Sequence, residues 1–470
     1  MLASYMNTQL KTDSENLNGI LNHTVDVALK HFDRQDTLPP GRYIPDIQME
    51  DLALNGIGAD ATLTLFEERY APLLANSTGS KYFAFVTGGS TPASVAGDWL
   101  VSAYDQNACG SNDSIAPQIE RQTIHYLKQM FGLDSAFFGS FVSGATMASF
   151  SGLALARQWF GEQLGHDFSM EGITATPKIF SGTPHSSILK SLSMLGIGRK
   201  SLVYVPTLAD REAIDIEALE DALKQHHAPC IVVANAGTVN TVDFDNLEAI
   251  GQLKTRYKLW LHVDAAFGGF AATSEKYKHL MNGINYADSI TIDAHKWLNV
   301  PYDSAMQFCR HKDLQLKVFQ NNAAYLTDPE KSPDYFHYTP ENSRRFRALP
   351  AWFTLKAYGL QGHREIVERN CDAAQYLGEL ISKSDNFRLL APVRMNVTCF
   401  TIGENPTQQQ IKTFLEAVRD DGRVFFTQTV YKGSPGIRAA ISNWRTTRED
   451  MDIAFQVLQT VYQKFALQPA

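Results

Sequence analysis

From about residue 130 onwards, short runs of β-branched or aromatic residues alternate with amphipathic stretches of helical periodicity. This alternation is typical of βα units, in which each helix returns the chain to the start of the next parallel strand. The sequence therefore predicts an α/β fold with a mainly parallel central sheet. The predicted strands are 136–142, 178–181, 201–205, 230–234, 259–263, 289–292 and 305–309.

Composition excludes several classes of protein. The 470 residues, 44% of them hydrophobic and 20% charged, suit a folded chain with a large core. A formal charge of -8 indicates neither nucleic acid nor an anionic membrane as partner. Segment 135–156 is uncharged, but its glycines, serines and central break predict a strand, a turn and a helix rather than a membrane span. The five scattered cysteines, without CxxC, favour a reducing cytoplasm and argue against a cysteine-rich zinc site.

The sequence pattern predicts that the chain folds in three parts. Residues 1–80 are mostly helical in pattern but are interrupted by prolines, so we expect an arm rather than an independent domain. Residues 81–350 contain the alternating strands and should form the large domain. Residues 351–470 combine helical periodicity with strand-like runs, which predicts a smaller α+β domain. We expect its strands at 397–402 and 437–441, with a helix at 408–419.

Two connections within the large domain are informative. Asp245 stands where the N-cap of a crossover helix would be, and Glu248 three residues later could complete a capping box. The stretch 321–342 is polar, contains prolines and is too long for a simple connector in a compact domain. Loops of that length are often functional.

Polar residues follow several predicted strands, and the first such group is Ser143-Gly144-Ala145-Thr146. Here a strand gives way to a helix, so free backbone N–H groups and the helix dipole could bind a phosphate. Taken alone, these residues could equally form an ordinary turn.

Asp264 ends an apolar, buried strand, where an unpaired carboxylate is unfavourable. A protonated pyridine nitrogen would compensate it, whereas a structural aspartate with protein partners is the simpler alternative. A metal site built on His262 and Asp264 is a third interpretation, but no further ligand lies at a usual spacing.

Lys296 in Asp293-Ala294-His295-Lys296-Trp297 again follows a strand. A lysine desolvated there would have a lowered pKa and could act as a Schiff-base nucleophile, although a surface lysine is the alternative. His185, after the strand at 178–181, could stack on an aromatic ligand or be structural. Because ligands of parallel sheets bind outside the carboxyl ends of the strands, these positions together indicate an aromatic aldehyde phosphate held by a lysine.

The motifs SGATMAS, TPHSS, HVDAAFGG, DAHKW and SRRFRAL, in this order, closely resemble the pyridoxal-phosphate-dependent decarboxylases of the aromatic amino acid, glutamate and diaminobutyrate group. The resemblance covers most of the chain, from about Lys81 to Ile441. It implies the aspartate-aminotransferase-like fold (fold type I) and decarboxylation of an L-amino acid. It also implies a cytoplasmic homodimer with the active site at the interface and the arm of residues 1–80 packed on the partner subunit.

The resemblance implies a role for each motif residue. Lys296 would carry pyridoxal phosphate as a Schiff base, Asp264 would pair with the pyridine nitrogen, and His185 would stack on the ring. The remaining cofactor residues would contact the phosphate (Ala145, Thr146 and His295), the ring (Ala266) and its hydroxyl edge (Thr238). Tyr335, with Tyr338 as the alternative, would belong to a loop that closes over the partner's site and donates a proton.

The chain departs from the family pattern at several places. Val239 follows Thr238 where a second threonine is frequent, and Asp293 stands where asparagine is common. The resemblance assigns residues 105–108 to the substrate pocket of the partner subunit. Asp-Gln-Asn-Ala stands there in place of bulky apolar residues, which suits an acidic, amidic or cationic substrate side chain. Arg438 could hold a carboxylate or form a structural ion pair. The alternatives are an aldehyde-forming decarboxylase, an aminotransferase, a carbon–carbon lyase, a metal-dependent hydrolase or a non-catalytic binding protein.

Overall fold

The protein is described by a computed structural model covering residues 7–110, 113–321 and 334–466. Its centre is a seven-stranded sheet, and all the strands predicted for the large domain are confirmed. This agreement has a physical reason, because strands buried on both faces are continuous apolar runs in the sequence. The strands are β1 (Phe138–Val142), β2 (Ile179–Ser181), β3 (Leu202–Tyr204), β4 (Cys230–Asn235), β5 (Leu259–Asp264), β6 (Ser289–Asp293) and β7 (Ala305–Cys309).

The strand order is β1-β7-β6-β5-β4-β2-β3. Neighbours from β6 through β3 are parallel, whereas β7 is antiparallel to both β6 and β1. The sequence did not reveal this reversal. Only residues 294–304 connect β6 to β7, which is shorter than a parallel crossover requires, so the chain turns back instead.

Helices cover both faces of the sheet, and others lie before and after it in the chain. The α-helices are α1 (Thr8–Glu15), α2 (Leu17–Asp33), α3 (Ala59–Arg69), α4 (Pro92–Tyr104), α5 (Ala116–Phe131), α6 (Ala145–Gln163), α7 (Phe168–Glu171), α8 (Ser186–Met194), α9 (Ile216–His226), α10 (Leu247–Leu253), α11 (Ala294–Trp297), α12 (Lys312–Phe319), α13 (Ala348–Ser382), α14 (Gln408–Asp421) and α15 (Arg448–Ala466). In the part of the chain described, no helix is both long and apolar enough to cross a membrane.

Alternation along β4 divides the packing between the two helical layers. Ile231 and Val233 belong to the cluster that contains α6 and α8, whereas Val232 and Ala234 belong to the cluster that contains α5 and α10. Successive strand residues point to opposite faces, so both faces are apolar and the polar residues collect at the strand ends. Segment 135–156 divides into β1 and α6, as predicted.

A second, antiparallel sheet lies in the C-terminal part of the chain. Its strands are β8 (Phe387–Leu389), β9 (Val397–Ile402), β10 (Thr427–Tyr431) and β11 (Ser434–Ala440), in the order β10-β11-β9-β8. The predictions for β9, α14 and β11 are confirmed. The sequence missed β8, which is very short, and β10, which is largely exposed. Helix α13 connects the two cores and kinks at Gly359, whose φ of 60° favours glycine.

The predicted N-cap at Asp245 is wrong by one residue. Asn246 caps α10, because its side chain accepts the N–H of Ala249 at 3.1 Å. Asp245 is wholly buried and accepts the N–H groups of Ile214 and Asn235 instead. Burial raises the pKa of Asp245 to about 6. The polar stretch 321–342 lies partly outside the described residues, at 322–333.

Candidate active site

One cavity, of about 330 Å³, opens at the carboxyl ends of β4, β5 and β6. Polar residues reach it because the strands end there and the chain must leave the apolar sheet. The wall includes every residue predicted to contact the cofactor except Thr238. Those in the wall are Ala145, Thr146, His185, Asp264, Ala266, His295 and Lys296.

Lys296 points into this cavity because its neighbours are anchored elsewhere. Trp297 is buried and donates its indole N–H to Asn370 at 2.9 Å, which fixes the one-turn helix α11. The Lys296 Nζ lies 3.1 Å from Asp293 Oδ2 and 5.6 Å from the centre of the Phe267 ring. A half-buried amine with one carboxylate neighbour is thus presented to the cavity.

Asp264 is the last residue of β5 and is only 7% exposed. One carboxylate oxygen accepts the N–H of Ala266 at 3.2 Å. Across residues 7–110, 113–321 and 334–466, no lysine, arginine or histidine forms an ion pair with it. A buried carboxylate in this state lacks a compensating cation, and a cationic ring nitrogen in the cavity would supply one.

His185 forms the N-cap of α8, and its Nδ1 accepts the N–H of Ser187 at 3.3 Å. Its side chain lines the cavity. The pKa of His185 is lowered, chiefly by burial; Lys296 and Arg438 also lower it, while Asp264 and Asp293 oppose the shift. A neutral, fixed imidazole suits stacking on a flat ligand.

The start of α6 forms another part of the wall. Ala145 N–H donates to Asp293 Oδ1 at 2.7 Å. His295 Nδ1 accepts the N–H of Ser304 at 3.1 Å, and its ring lies 4.3 Å from that of Tyr302. The pKa of His295 is lowered by burial, although Asp293 opposes this. The group combines backbone donors, a helix N-terminus and an imidazole, all of which bind phosphate.

Thr238 is not brought to the cavity. Its hydroxyl donates to Glu212 Oε2 at 2.5 Å on the far side of the turn. Its neighbours Gly237 and Val239 line the cavity instead. In a tight turn adjacent side chains point in different directions, so the residue that faces the ligand cannot be assigned from the motif alone.

Tyr335 also lies outside the cavity of its own chain. Its N–H donates to the carbonyl of Cys109 at 2.8 Å, and its ring contacts Phe138 and the guanidinium of Arg344. The phenol is buried, and its hydroxyl has no hydrogen-bond partner within the described chain. Burial raises the pKa of Tyr335 well above its usual value. Tyr338, the alternative, lies beside Phe138 as well.

The sequence missed other cavity residues. Asn235 ends β4 beside Asp264, so the strand-end rule that identified Asp264 also identifies Asn235. Phe85 and Val86 come from the segment before α4, and both have positive φ, 55° and 60°. No local signal relates this distant segment to the strand ends.

The alternative metal site at His262 finds no support in the packing. His262 is fully buried beneath α6, with Nδ1 2.8 Å from Ser289 Oγ. Burial lowers the pKa of His262 to about 4. Searching the described ranges finds no group of three or more His, Cys, Asp or Glu side chains arranged to hold a metal ion.

Comparison with known proteins identifies relatives along most of the chain. Residues 57–403 match the family described as the pyridoxal-dependent decarboxylase conserved domain. The aromatic-L-amino-acid decarboxylase of Bacillus atrophaeus is 27% identical over 466 residues, covering 95% of each chain. The phenylacetaldehyde synthase of Petunia hybrida is 24% identical over 417 residues, which are 83% of this chain and 81% of the relative. The crystal structure of Oryza sativa TDC with PLP and tryptamine has a TM-score of 0.88 at 20% identity, covering 98% of this chain and 99% of that one.

Proposed function

The chain belongs to the pyridoxal-dependent decarboxylase family, and we propose that it converts an L-amino acid into the corresponding amine and CO2. It is an enzyme with pyridoxal phosphate as cofactor, and its fold is the fold type I α/β architecture that the sequence predicts. The observation that carries the proposal is the single cavity in which Lys296, Asp264 and His185 meet the start of α6.

The charges and donors of the cavity fit the cofactor. The carboxylate of Asp264, without a cation among the described residues, would hold the protonated pyridine nitrogen. Ala145 N–H, Thr146 and His295 would hold the phosphate, as helix N-termini commonly do. Lys296 would hold the aldehyde carbon through its amine.

Two further residues would position the ring. His185 would stack on one face, because α8 fixes its imidazole at the cavity wall. Ala266, small and nearly buried, would leave room for the ring beside it. When bound, pyridoxal phosphate accepts the electron pair left on the substrate when CO2 departs, and Asp264 would favour this by keeping the ring nitrogen protonated.

Arg438 would bind the substrate's carboxylate. The guanidinium lines the cavity and is only 8% exposed. It donates one hydrogen bond, from Nη1 to the carbonyl of Val239 at 2.9 Å, and its Nε has no partner in the described chain. Because no carboxylate of the described chain forms an ion pair with it, this nearly buried guanidinium would pair with a carboxylate of the ligand.

Tyr335 would donate the proton that completes the amine, in the active site of a partner subunit. Its N–H is bound to Cys109, directly after the polar segment 105–108 that the family resemblance assigns to the partner's substrate pocket. Burial raises the pKa of Tyr335, so the phenol carries its proton at neutral pH.

A homodimer would also cover the N-terminal arm. Helices α1, α2 and α3 have no buried residues, and many of their apolar side chains are exposed. Packing on a second copy would remove this surface from water. The exposed residues include Leu10, Leu17, Leu21, Leu29, Leu65 and Phe66. The buried, free cysteines suit a cytoplasmic enzyme.

The test is a spectrum and a substrate screen. Purified enzyme should have a visible absorbance band, and the band should be absent in Lys296→Ala but retained in Lys190→Ala, which changes an exposed lysine of α8. The twenty common amino acids, diaminobutyrate and ornithine are then tested for CO2 release and amine formation. A loaded enzyme that releases no CO2 from any of them would refute the proposal. An aldehyde product would support the alternative suggested by the Petunia hybrida relative.

A further inference from the structure

Asp293 ends β6 and is only 3% exposed, yet it contacts three polar groups of the cavity wall. Its Oδ1 accepts the N–H of Ala145 at 2.7 Å and lies 3.4 Å from His295 Nε2. Its Oδ2 lies 3.1 Å from Lys296 Nζ. The carboxylate thus bridges the start of α6 and the lysine.

Ala145 is the first residue of α6, a helix of 19 residues. The N–H groups of a first helical turn have no partner within the helix and carry its positive dipole end. The N-cap residue is Gly144, which has no side chain to satisfy them. Asp293, from a neighbouring strand, therefore provides the anion at this helix start.

Under the proposed function, on which this inference rests, the cofactor's phosphate would use the same donor. Phosphate and carboxylate are both anions, and like charges at such distances repel, more strongly where water is excluded.

We propose that Asp293 limits the affinity of this enzyme for pyridoxal phosphate, because its negative charge at the N–H of Ala145 repels the phosphate that would bind there. The chain would consequently release its cofactor more readily than a variant with a neutral side chain at this position. Asparagine has the same shape as aspartate and can still accept the N–H of Ala145. The substitution Asp293→Asn therefore removes the charge and changes little else.

A purely structural role predicts a different result. If Asp293 only caps α6, then Asp293→Asn should behave like the wild type, because asparagine and aspartate are about equally good N-caps. Cofactor affinity therefore separates the two roles, whereas stability does not.

The experiment titrates cofactor-depleted enzyme with pyridoxal phosphate and with pyridoxal, which lacks the phosphate, following the visible absorbance. We expect Asp293→Asn to lower the dissociation constant for pyridoxal phosphate by about fivefold or more, with less than a twofold change for pyridoxal. Inorganic phosphate should also compete more strongly in the variant. Asp303→Asn is the matched control, because Asp303 lies in the connection that follows β6 and pairs with Arg347.

Equal dissociation constants for wild type and Asp293→Asn would overturn the inference. An equal gain with pyridoxal would also overturn it, because the effect would then act through Lys296. Absence of an absorbance band in the wild type at any cofactor concentration would refute the proposed function itself, and is readily distinguished from these outcomes. Asp293→Ser, which removes the charge with a smaller side chain, replaces Asp293→Asn if that variant does not fold.

Discussion

Buried carboxylates at the two ends of the central sheet differ in their hydrogen-bond and charged partners. Before the start of β6, Asp288 accepts hydrogen bonds from Lys254 Nζ at 2.6 Å, from the N–H of Leu261 at 2.7 Å and from His311 Nε2 at 2.8 Å. At the carboxyl end, Asp264 accepts one backbone N–H and has no basic partner in the part of the chain described. The burial of the two is nearly equal, at 6% and 7% exposed.

The difference separates a structural carboxylate from the one that we propose binds the cofactor. Both carboxylates lose hydration on folding. Within the described chain, only Asp288 has basic partners that compensate for this loss. Under the proposed function, the cofactor would compensate Asp264. Burial alone therefore does not distinguish the two carboxylates, whereas their partners and the position of Asp264 in the cavity wall do.

The largest expected effect is that of Asp264→Asn on catalysis. The amide cannot stabilise a protonated ring nitrogen, so we expect kcat/KM to fall by at least about 10²-fold. The same substitution should leave the free energy of unfolding of the cofactor-free protein unchanged within about 1 kcal/mol, because it breaks no ion pair. Steady-state kinetics and urea titration measure the two quantities. A large loss of stability would contradict the contrast between the two sheet ends.

Asp288→Asn should give the opposite result. Lys254 and His311 would lose a charged partner, so we expect the free energy of unfolding to fall by about 2 kcal/mol. The kcat of the folded fraction should stay within about twofold of the wild type, because Asp288 lies at the end of the sheet away from the cavity. Kinetics at a urea concentration below the transition provide the check.

Some features of the carboxyl end of the sheet could be predicted from the sequence alone. The strands and the positions of Asp264 and Lys296 follow from apolar runs that end in polar residues, and this signal is local. Details that depend on one residue of register were less accessible, as the turn that directs Val239 rather than Thr238 into the cavity demonstrates. The N-cap at Asn246 instead of Asp245 has the same origin.

Long-range placement could not be predicted from any local pattern. Phe85 and Val86 reach the cavity from a segment far from the strand ends in sequence, and their left-handed backbone has no sequence signature in non-glycine residues. The reversed direction of β7 depends on the length of a connection, which becomes visible only when the strands are known.

Tyr335 extends the comparison to a neutral group. Its buried hydroxyl lacks a partner in the described chain, as the carboxylate of Asp264 lacks a cation, and we propose that it donates a proton in a partner subunit. Tyr335→Phe should leave the free energy of unfolding unchanged or raise it by up to about 1 kcal/mol, because no hydrogen bond is lost. The product should shift from amine towards the carbonyl compound, with dioxygen as the oxidant. Product analysis by mass spectrometry under air and under nitrogen tests this, and an unchanged amine yield would remove Tyr335 from the mechanism.

The smallest expected effect is the pH dependence of the Asp288 contribution to stability. Burial alone would raise the pKa of Asp288, but His311 and Lys254 lower it below the usual 3.8. A depressed carboxyl pKa stabilises the fold above the pKa of the unfolded chain, and the contribution is lost as the pH falls through the lower value of the folded state. The difference in unfolding free energy between wild type and Asp288→Asn should therefore be larger at pH 5 than at pH 3. Urea titrations of both proteins at these two pH values measure it, and a difference that grows at pH 3 would mean that the Asp288 carboxylate is not stabilised by its basic neighbours.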